Sequence, residues 1–151
     1  MVSWVTHELL GADFHDLRLT ERLLRIVERF AARPAASIPH IGDTKAEAAA
    51  TYRFFANPAV TVDAILQPHR LRTAQRAAEH PLVLVAQDTT EINLTTHDDT
   101  AGLGYLSDPQ SHGLLLHNLL CISPAGVPLG VLDQRAWVRP KDERGKRRTR
   151  N

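Results

Sequence analysis

The residue around which the sequence is organised is Asp88, a single carboxylate just after an apolar run. Residues 82–86, Leu-Val-Leu-Val-Ala, are strong β-formers in a run too short to span a membrane, so they predict a strand buried on both faces. Asp88 is then expected where the strand ends, followed by Thr89 and Thr90. Such oxygen ligands can hold a hard divalent cation. The same residues are also typical of a turn, in which Asp and Thr accept hydrogen bonds from nearby backbone N–H groups.

A second polar cluster follows at His97, Asp98 and Asp99. Imidazole and carboxylate groups are common metal ligands, so a small metal-binding enzyme that uses Asp88 with this cluster is one hypothesis. A solvated loop is the alternative. His112 and His117 are an odd number of positions apart on a predicted strand, so their side chains face opposite sides and cannot share a metal from that strand. We predict that His117 is a packed or hydrogen-bonded core histidine.

Four arginines are spaced to form a stripe along one helix. They occupy positions i, i+4, i+7 and i+11, which places them within about 60° of one another. A stripe of guanidinium groups can follow a row of phosphates. The alternative is a solvated helix face on which Glu21 and Glu28 form local ion pairs. The stripe consists of Arg18, Arg22, Arg25 and Arg29.

The elements that position these residues change in type near residue 80. Asp13 and Asp16 are suited to capping a helix that runs to about Arg33, and its core face carries Leu19, Leu23, Ile26, Val27 and Phe30. A linker at 34–39 follows. Thr44 and Glu47 have capping-box spacing before a helix that ends near Asn57, and Thr61 caps a third helix that Pro68 should bend or restart.

From residue 81 onward the spacing of the apolar residues changes from the helical pattern to that of strands. Apolar runs at 82–86 and 113–123 precede an alternating segment at 127–138, with a Pro-Ala-Gly turn at 124–126. Short connections without a crossover helix predict a three-stranded antiparallel meander.

Gly102 and Gly104 lack the third glycine of a dinucleotide fingerprint and belong to a loop.

Charge and composition restrict the class of protein. Residues 1–80 carry ten Lys/Arg against nine Asp/Glu, residues 81–140 two against six, and residues 141–151 six against two. The acidic middle suits a cation, and the basic tail at 141–151 is too polar to pack, so we expect it to be disordered. One cysteine, Cys121, excludes an intramolecular disulfide. No run approaches the roughly 20 apolar residues of a membrane helix and no signal layout begins the chain, so a cytoplasmic protein without membrane contact is expected.

Taken together, residues 4–140 resemble the N-terminal part of Tn5-like transposases, in the IS4 group of DDE transposases. The motifs that carry the resemblance keep their order along nearly the whole chain. They are Arg18-Leu-x-x-Arg22-Leu, Thr44-Lys-Ala, Tyr52-Arg53-Phe54-Phe55-x-Asn57-Pro58, Pro68-His69-Arg-x-Arg-Thr73, Gln87-Asp88-Thr89-Thr90, Leu114-Leu-Leu-His117 and Pro128-Leu-Gly130-x-x-x-Gln134-x-x-Trp137-x-Arg139-Pro140.

The resemblance implies an α+β chain in three parts. Residues 1–80 would form a helical domain that binds transposon-end DNA, residues 81–140 the first three antiparallel strands of a ribonuclease-H-like core, and residues 141–151 the basic tail. It implies that Asp88 is the first of three acidic ligands of two Mg²⁺ or Mn²⁺ ions that cut DNA strands. The side chains matching DNA contacts are Arg18, Arg22, Lys45, Tyr52, Arg53 and Asn57.

The sequence departs from the family pattern after its third strand. The family's second aspartate and its glutamate, with the surrounding Tyr…Arg…Glu…Lys motif, have no counterpart, so we expect a truncated transposase that does not cleave DNA and binds Mg²⁺ or Mn²⁺ only weakly. The first strand should keep one unpaired side, which would favour a homodimer or a complex with a full-length transposase. The alternative function is a stand-alone DNA-binding regulator of transposition without catalytic activity.

Overall fold

The computed structural model describes residues 3–97, 99–108 and 110–139. Asp98 and the predicted tail at 141–151 therefore lie outside the described residues. The chain divides into two units, Met1–Arg76 and Ala77–Asn151, which are considered separately below.

The first unit is helical, as the sequence predicts. Two of the expected N-terminal caps form: the Asp16 side chain accepts from the Arg18 N–H, and Thr44 forms a capping box with Glu47. Asp13, the other candidate for α2, accepts instead from the His15 N–H before the helix. Thr61 likewise accepts from the Ala64 N–H. The helices are α1 (Trp4–Leu9), α2 (Leu17–Ala32), α3 (Ile38–Ile41), α4 (Lys45–Phe55) and α5 (Val62–Ala78), the last ending just inside the second unit.

Two details of the helical unit differ from expectation. Pro68 does not make the helix restart, since α5 continues through it from Val62 to Ala78. Pro68 is buried, so its ring is packed within the helical unit at a position where a proline removes one backbone hydrogen bond. The predicted linker at 34–39 leads directly into the short helix α3, which has proline in its first turn, where a missing N–H costs nothing.

The core of the first unit joins four of its helices through apolar side chains. Leu23 and Ile26 of α2 are buried, and Leu19, Val27 and Phe30 pack against them, which confirms the predicted core face. The rings of Phe14 and Phe54 meet edge to face with centroids 5.7 Å apart. The buried residues are Val5, Leu9, Ala12, Phe14, Leu23, Ile26, Ile41 and Phe54.

The second unit is an antiparallel sheet built on its third strand. The strands are β1 (Leu84–Asn93), β2 (Gly104–Tyr105), β3 (His112–Ile122) and β4 (Pro128–Trp137). β3 pairs antiparallel with each of the other three. The predicted meander is therefore confirmed as β1–β3–β4, and β2 is a two-residue addition from the polar loop. Gly126 closes the β3–β4 turn with a φ of 82°, a conformation that glycine adopts without strain.

The prediction that residues 82–86 form a strand buried on both faces is wrong. β1 begins at Leu84 and continues to Asn93, and the side chains of Leu84 and Val85 are 56% and 40% exposed. An apolar run indicates a strand but does not reveal whether another element covers it. Within the described residues β1 pairs with β3 alone, so it has one unpaired side, as the resemblance predicted.

Candidate nucleic-acid interface

A groove on the first unit brings together four of the six predicted DNA-contact residues. It lies between α2 and the end of α4 and has a volume of about 240 Å³. The four are Arg18, Arg22, Arg53 and Asn57, and the remaining lining comes from Asp16, Leu19, Ala50 and Phe54. Residues far apart in the sequence thus converge on one concave surface.

Helix geometry explains the convergence. Arg18 and Arg22 are one turn apart on α2, so they project from the same face. Arg53 lies in the last turn of α4, and Asn57 follows just after the helix ends. Phe54 is buried in the core, and its ring holds the C-terminal end of α4 in place beside the groove.

Two of the three guanidinium groups in the groove are available for a ligand. Among the described residues, neither Arg22 nor Arg53 has a carboxylate partner. Arg18 is different, because its Nη2 and Nε donate to Asp16 over 2.8 Å and 3.1 Å. Those hydrogen bonds hold the pKa of Asp16 below its ordinary value and raise the pKa of Arg18. The groove therefore carries three positive charges and one negative charge.

Asn57 adds an oriented amide to these charges. Its Oδ1 accepts a hydrogen bond of 2.9 Å from the Ala59 N–H, which leaves its Nδ2 group as the end that can donate to a ligand. Guanidinium and amide N–H groups are all hydrogen-bond donors. Such a set is suited to the oxygen atoms of an anion, and to phosphate in particular.

The four arginines of the predicted stripe fall into two pairs with different surroundings. Arg25 forms an exposed pair with Glu21 over 3.5 Å, and Arg29 pairs with Glu47 of α4. The alternative of local ion pairing is therefore correct for Arg25, whereas the partner of Arg29 is a glutamate on another helix, which that alternative did not include. Only Arg18 and Arg22 reach the groove.

Lys45 and Tyr52 lie outside the groove, on the solvent-facing side of α4. Both are exposed, and their spacing of seven residues places them within about 20° of each other around the helix. Ala46 and Ala49 are also exposed on α4. The small alanine side chains leave room for close approach of another molecule to the helix between the longer ones.

Asp88 lies in the middle of β1 and not at its end, so its predicted position is wrong. It is exposed and lies directly opposite Asn118 of β3, which in turn lies opposite Gln134 of β4. The Gln134 Nε2 donates to the Asn118 Oδ1 over 2.7 Å. Sequence reasoning missed this polar row, although an asparagine inside the apolar run 113–123 was a visible signal.

The described residues do not by themselves fit a metal centre. No three His, Cys, Asp or Glu side chains among them lie close enough to hold a metal ion. His117 is held by a hydrogen bond of 2.8 Å between its Nδ1 and the Thr89 Oγ1, as predicted, but it is half-buried and does not lie in the core. His97 and His112 line a separate depression of about 330 Å³.

The groove lies within a part of the chain that matches a known protein family. Residues 1–60 match the family model described as transposase DNA-binding. The matched region contains all six predicted DNA-contact residues, and it supports DNA binding by a transposase N-terminal fragment. The sheet and Asp88 lie beyond it. In the part of the chain that the structure describes, none of the helices has the length and apolarity needed to cross a membrane.

Proposed function

We propose that the first unit binds the sugar-phosphate backbone of DNA through the groove between α2 and α4, as the end-binding part of a Tn5-like transposase of the IS4 group. The observation that carries the proposal is the pair of unpartnered guanidinium groups, Arg22 and Arg53, beside the amide of Asn57 in the region matched by the transposase DNA-binding family. Arginine binds phosphate with a planar fork of N–H donors, so the groove seats one or two backbone phosphates.

The exposed side of α4 supplies the second part of the interface. With the backbone held at the groove, Lys45 and Tyr52 extend toward the neighbouring DNA surface. A helix with small side chains on its exposed face fits the major groove, where alanine contacts thymine methyl groups. In this arrangement the groove contributes affinity and α4 contributes sequence preference.

We propose that the second unit forms the first strands of a ribonuclease-H-like core, in which Asp88 is the first acidic ligand of a pair of Mg²⁺ or Mn²⁺ ions. The support is the meander order, the unpaired side of β1 and the match of Gln87-Asp88-Thr89-Thr90 to the family motif. Two-metal catalysis requires several carboxylates, and Asp88 supplies only one of them, so in this proposal the described residues alone do not form the cleaving centre. A DNA-binding regulator that occupies transposon ends in the cytoplasm is the second candidate, favoured because every predicted DNA contact lies in the first unit.

Fluorescence anisotropy with a labelled transposon-end duplex tests the DNA proposal. We expect binding that weakens steeply with salt, and a loss of about three- to tenfold in Arg22→Ala and in Arg53→Ala, each with a salt slope lower by about 1. Arg33→Ala is the matched control, because Arg33 pairs with Asp43 away from the groove. Equal losses in all three variants would contradict the groove as the binding site. Addition of Mn²⁺ should produce no strand cleavage.

A further inference from the structure

Asp16 performs two tasks at the edge of the groove. Its Oδ1 accepts from the Arg18 N–H over 2.9 Å, which caps α2, and its two carboxylate oxygens also hold the Arg18 guanidinium. The carboxylate therefore occupies the place beside Arg18 that a phosphate would take.

We propose that Asp16 is an internal competitor for the DNA backbone, and that Arg18 transfers from Asp16 to a phosphate when DNA binds. The inference rests on the proposed function of the groove. Asp16 thereby weakens and tunes the affinity that Arg22 and Arg53 provide.

The mobility of the two partners makes the transfer physically reasonable. The Asp16 side chain is only 33% exposed and makes the capping bond, whereas the Arg18 side chain is 90% exposed and its guanidinium pairs only with Asp16 among the described residues. An ion pair that exposed contributes little net free energy, because water solvates both partners well. A phosphate held in the groove by Arg22 and Arg53 can therefore displace the carboxylate at little cost.

The experiment compares two substitutions that remove the same charge. Asp16→Asn keeps a good helix cap but removes the negative charge and the Oδ2 acceptor that hold the Arg18 guanidinium. Asp13→Asn is the control, because Asp13 is three residues away, does not line the groove, and keeps its bond to the His15 N–H. Circular dichroism verifies folding, and Asp16→Ser is a second neutral cap should the asparagine variant fail to fold.

At low salt we expect Asp16→Asn to bind the end duplex about two- to fivefold more tightly than the unaltered chain, with a salt slope steeper by up to about 1. Asp13→Asn should change the affinity by less than about 1.5-fold, because the charge it removes lies outside the groove and is screened. The gain from Asp16→Asn should disappear when Arg18→Ala is also present, since both changes act on one interaction.

Three results would overturn the proposal: an unchanged affinity in Asp16→Asn, an equal gain in Asp13→Asn, or a gain that persists without Arg18. Absence of binding in the unaltered chain and in every variant would instead refute the DNA-binding function itself. The two failures are thus distinguished in one titration series.

Discussion

Arg29 of α2 pairs with Glu47 of α4, and the same glutamate closes the capping box at the start of α4. One oxygen of Glu47 accepts from Arg29, and the other accepts from the Asp43 and Thr44 N–H groups over 2.7 Å and 3.2 Å. This single side chain therefore determines where α4 begins and ties α4 to α2. The relative placement of the two walls of the groove depends on it.

The first prediction concerns the pH dependence of this pair. The hydrogen bond from Arg29 lowers the pKa of Glu47 from its ordinary value of 4.5 to about 2. A lowered pKa stabilises the folded state above pH 4.5, and that contribution is lost as the pH falls toward 2. Glu47→Gln keeps the capping box but removes the charge, so it should lower Tm at pH 7.

The difference in Tm between the unaltered chain and Glu47→Gln should shrink steadily between about pH 4.5 and pH 2. Glu28→Gln is the matched control, because Glu28 is an exposed glutamate on the same helix as Arg29. A difference that stays constant across this pH range would show that the pair contributes nothing through its charge.

A second prediction concerns Glu8, which ties α1 to α5. Glu8 is 16% exposed; its oxygens accept from Arg76 over 2.9 Å and 2.8 Å, and the His69 Nδ1 lies 2.6 Å away. The hydrogen bonds from Arg76 lower the pKa of Glu8. Burial acts in the opposite direction, and the hydrogen bond with His69 lowers this pKa further. Glu8→Gln should destabilise the chain by about 1 kcal/mol, since a partly buried charge loses its partner.

Urea denaturation measures this effect. Glu21→Gln is the control, because Glu21 is 67% exposed and its pair with Arg25 is long, at 3.5 Å. The control should change stability by less than about 0.5 kcal/mol. Equal effects in Glu8→Gln and Glu21→Gln would contradict a special role for the contact between α1 and α5.

A third prediction concerns the unpaired side of β1. Unsatisfied backbone groups beside the exposed side chains of Leu84 and Val85 favour pairing with another chain. We expect light scattering to show oligomers or aggregates at micromolar concentration. Val85→Lys should reduce their size, because a lysine on an edge strand opposes pairing.

Val127→Lys is the control for the edge, since Val127 is equally apolar and 56% exposed but lies in the β3–β4 turn. A monodisperse monomer of the unaltered chain would contradict the prediction. An equal improvement in both variants would attribute the association to general surface apolarity.

A fourth prediction concerns metal binding at Asp88. A single carboxylate opposite an amide offers too few charged ligands for tight binding, so calorimetry with Mn²⁺ or Mg²⁺ should give a Kd weaker than about 1 mM. Asp88→Asn should leave the heats unchanged below that concentration. Micromolar binding that disappears in Asp88→Asn would support the alternative of a self-sufficient metal site.

Much of the fold could be predicted because its signals are local. The caps at Asp16 and Thr44 and the apolar spacing of α2 act within a few residues, and each appears in the structure where expected. The course of α5 through Pro68 could not be predicted, because it depends on how that residue is buried. The exposure of β1 depended likewise on which elements cover it, which a run of apolar residues does not encode.

The sequence by itself determined which side chains could contact DNA, since charge and hydrogen-bonding capacity belong to residue type. Only the tertiary structure decided which arginines remain available: packing of α4 against α2 engages Arg29 with Glu47, while Arg22 and Arg53 stay without a carboxylate partner among the described residues. It also placed Asp88 in mid-strand opposite Asn118. Both outcomes depend on contacts between distant parts of the chain, and helical or strand periodicity carries no record of those contacts.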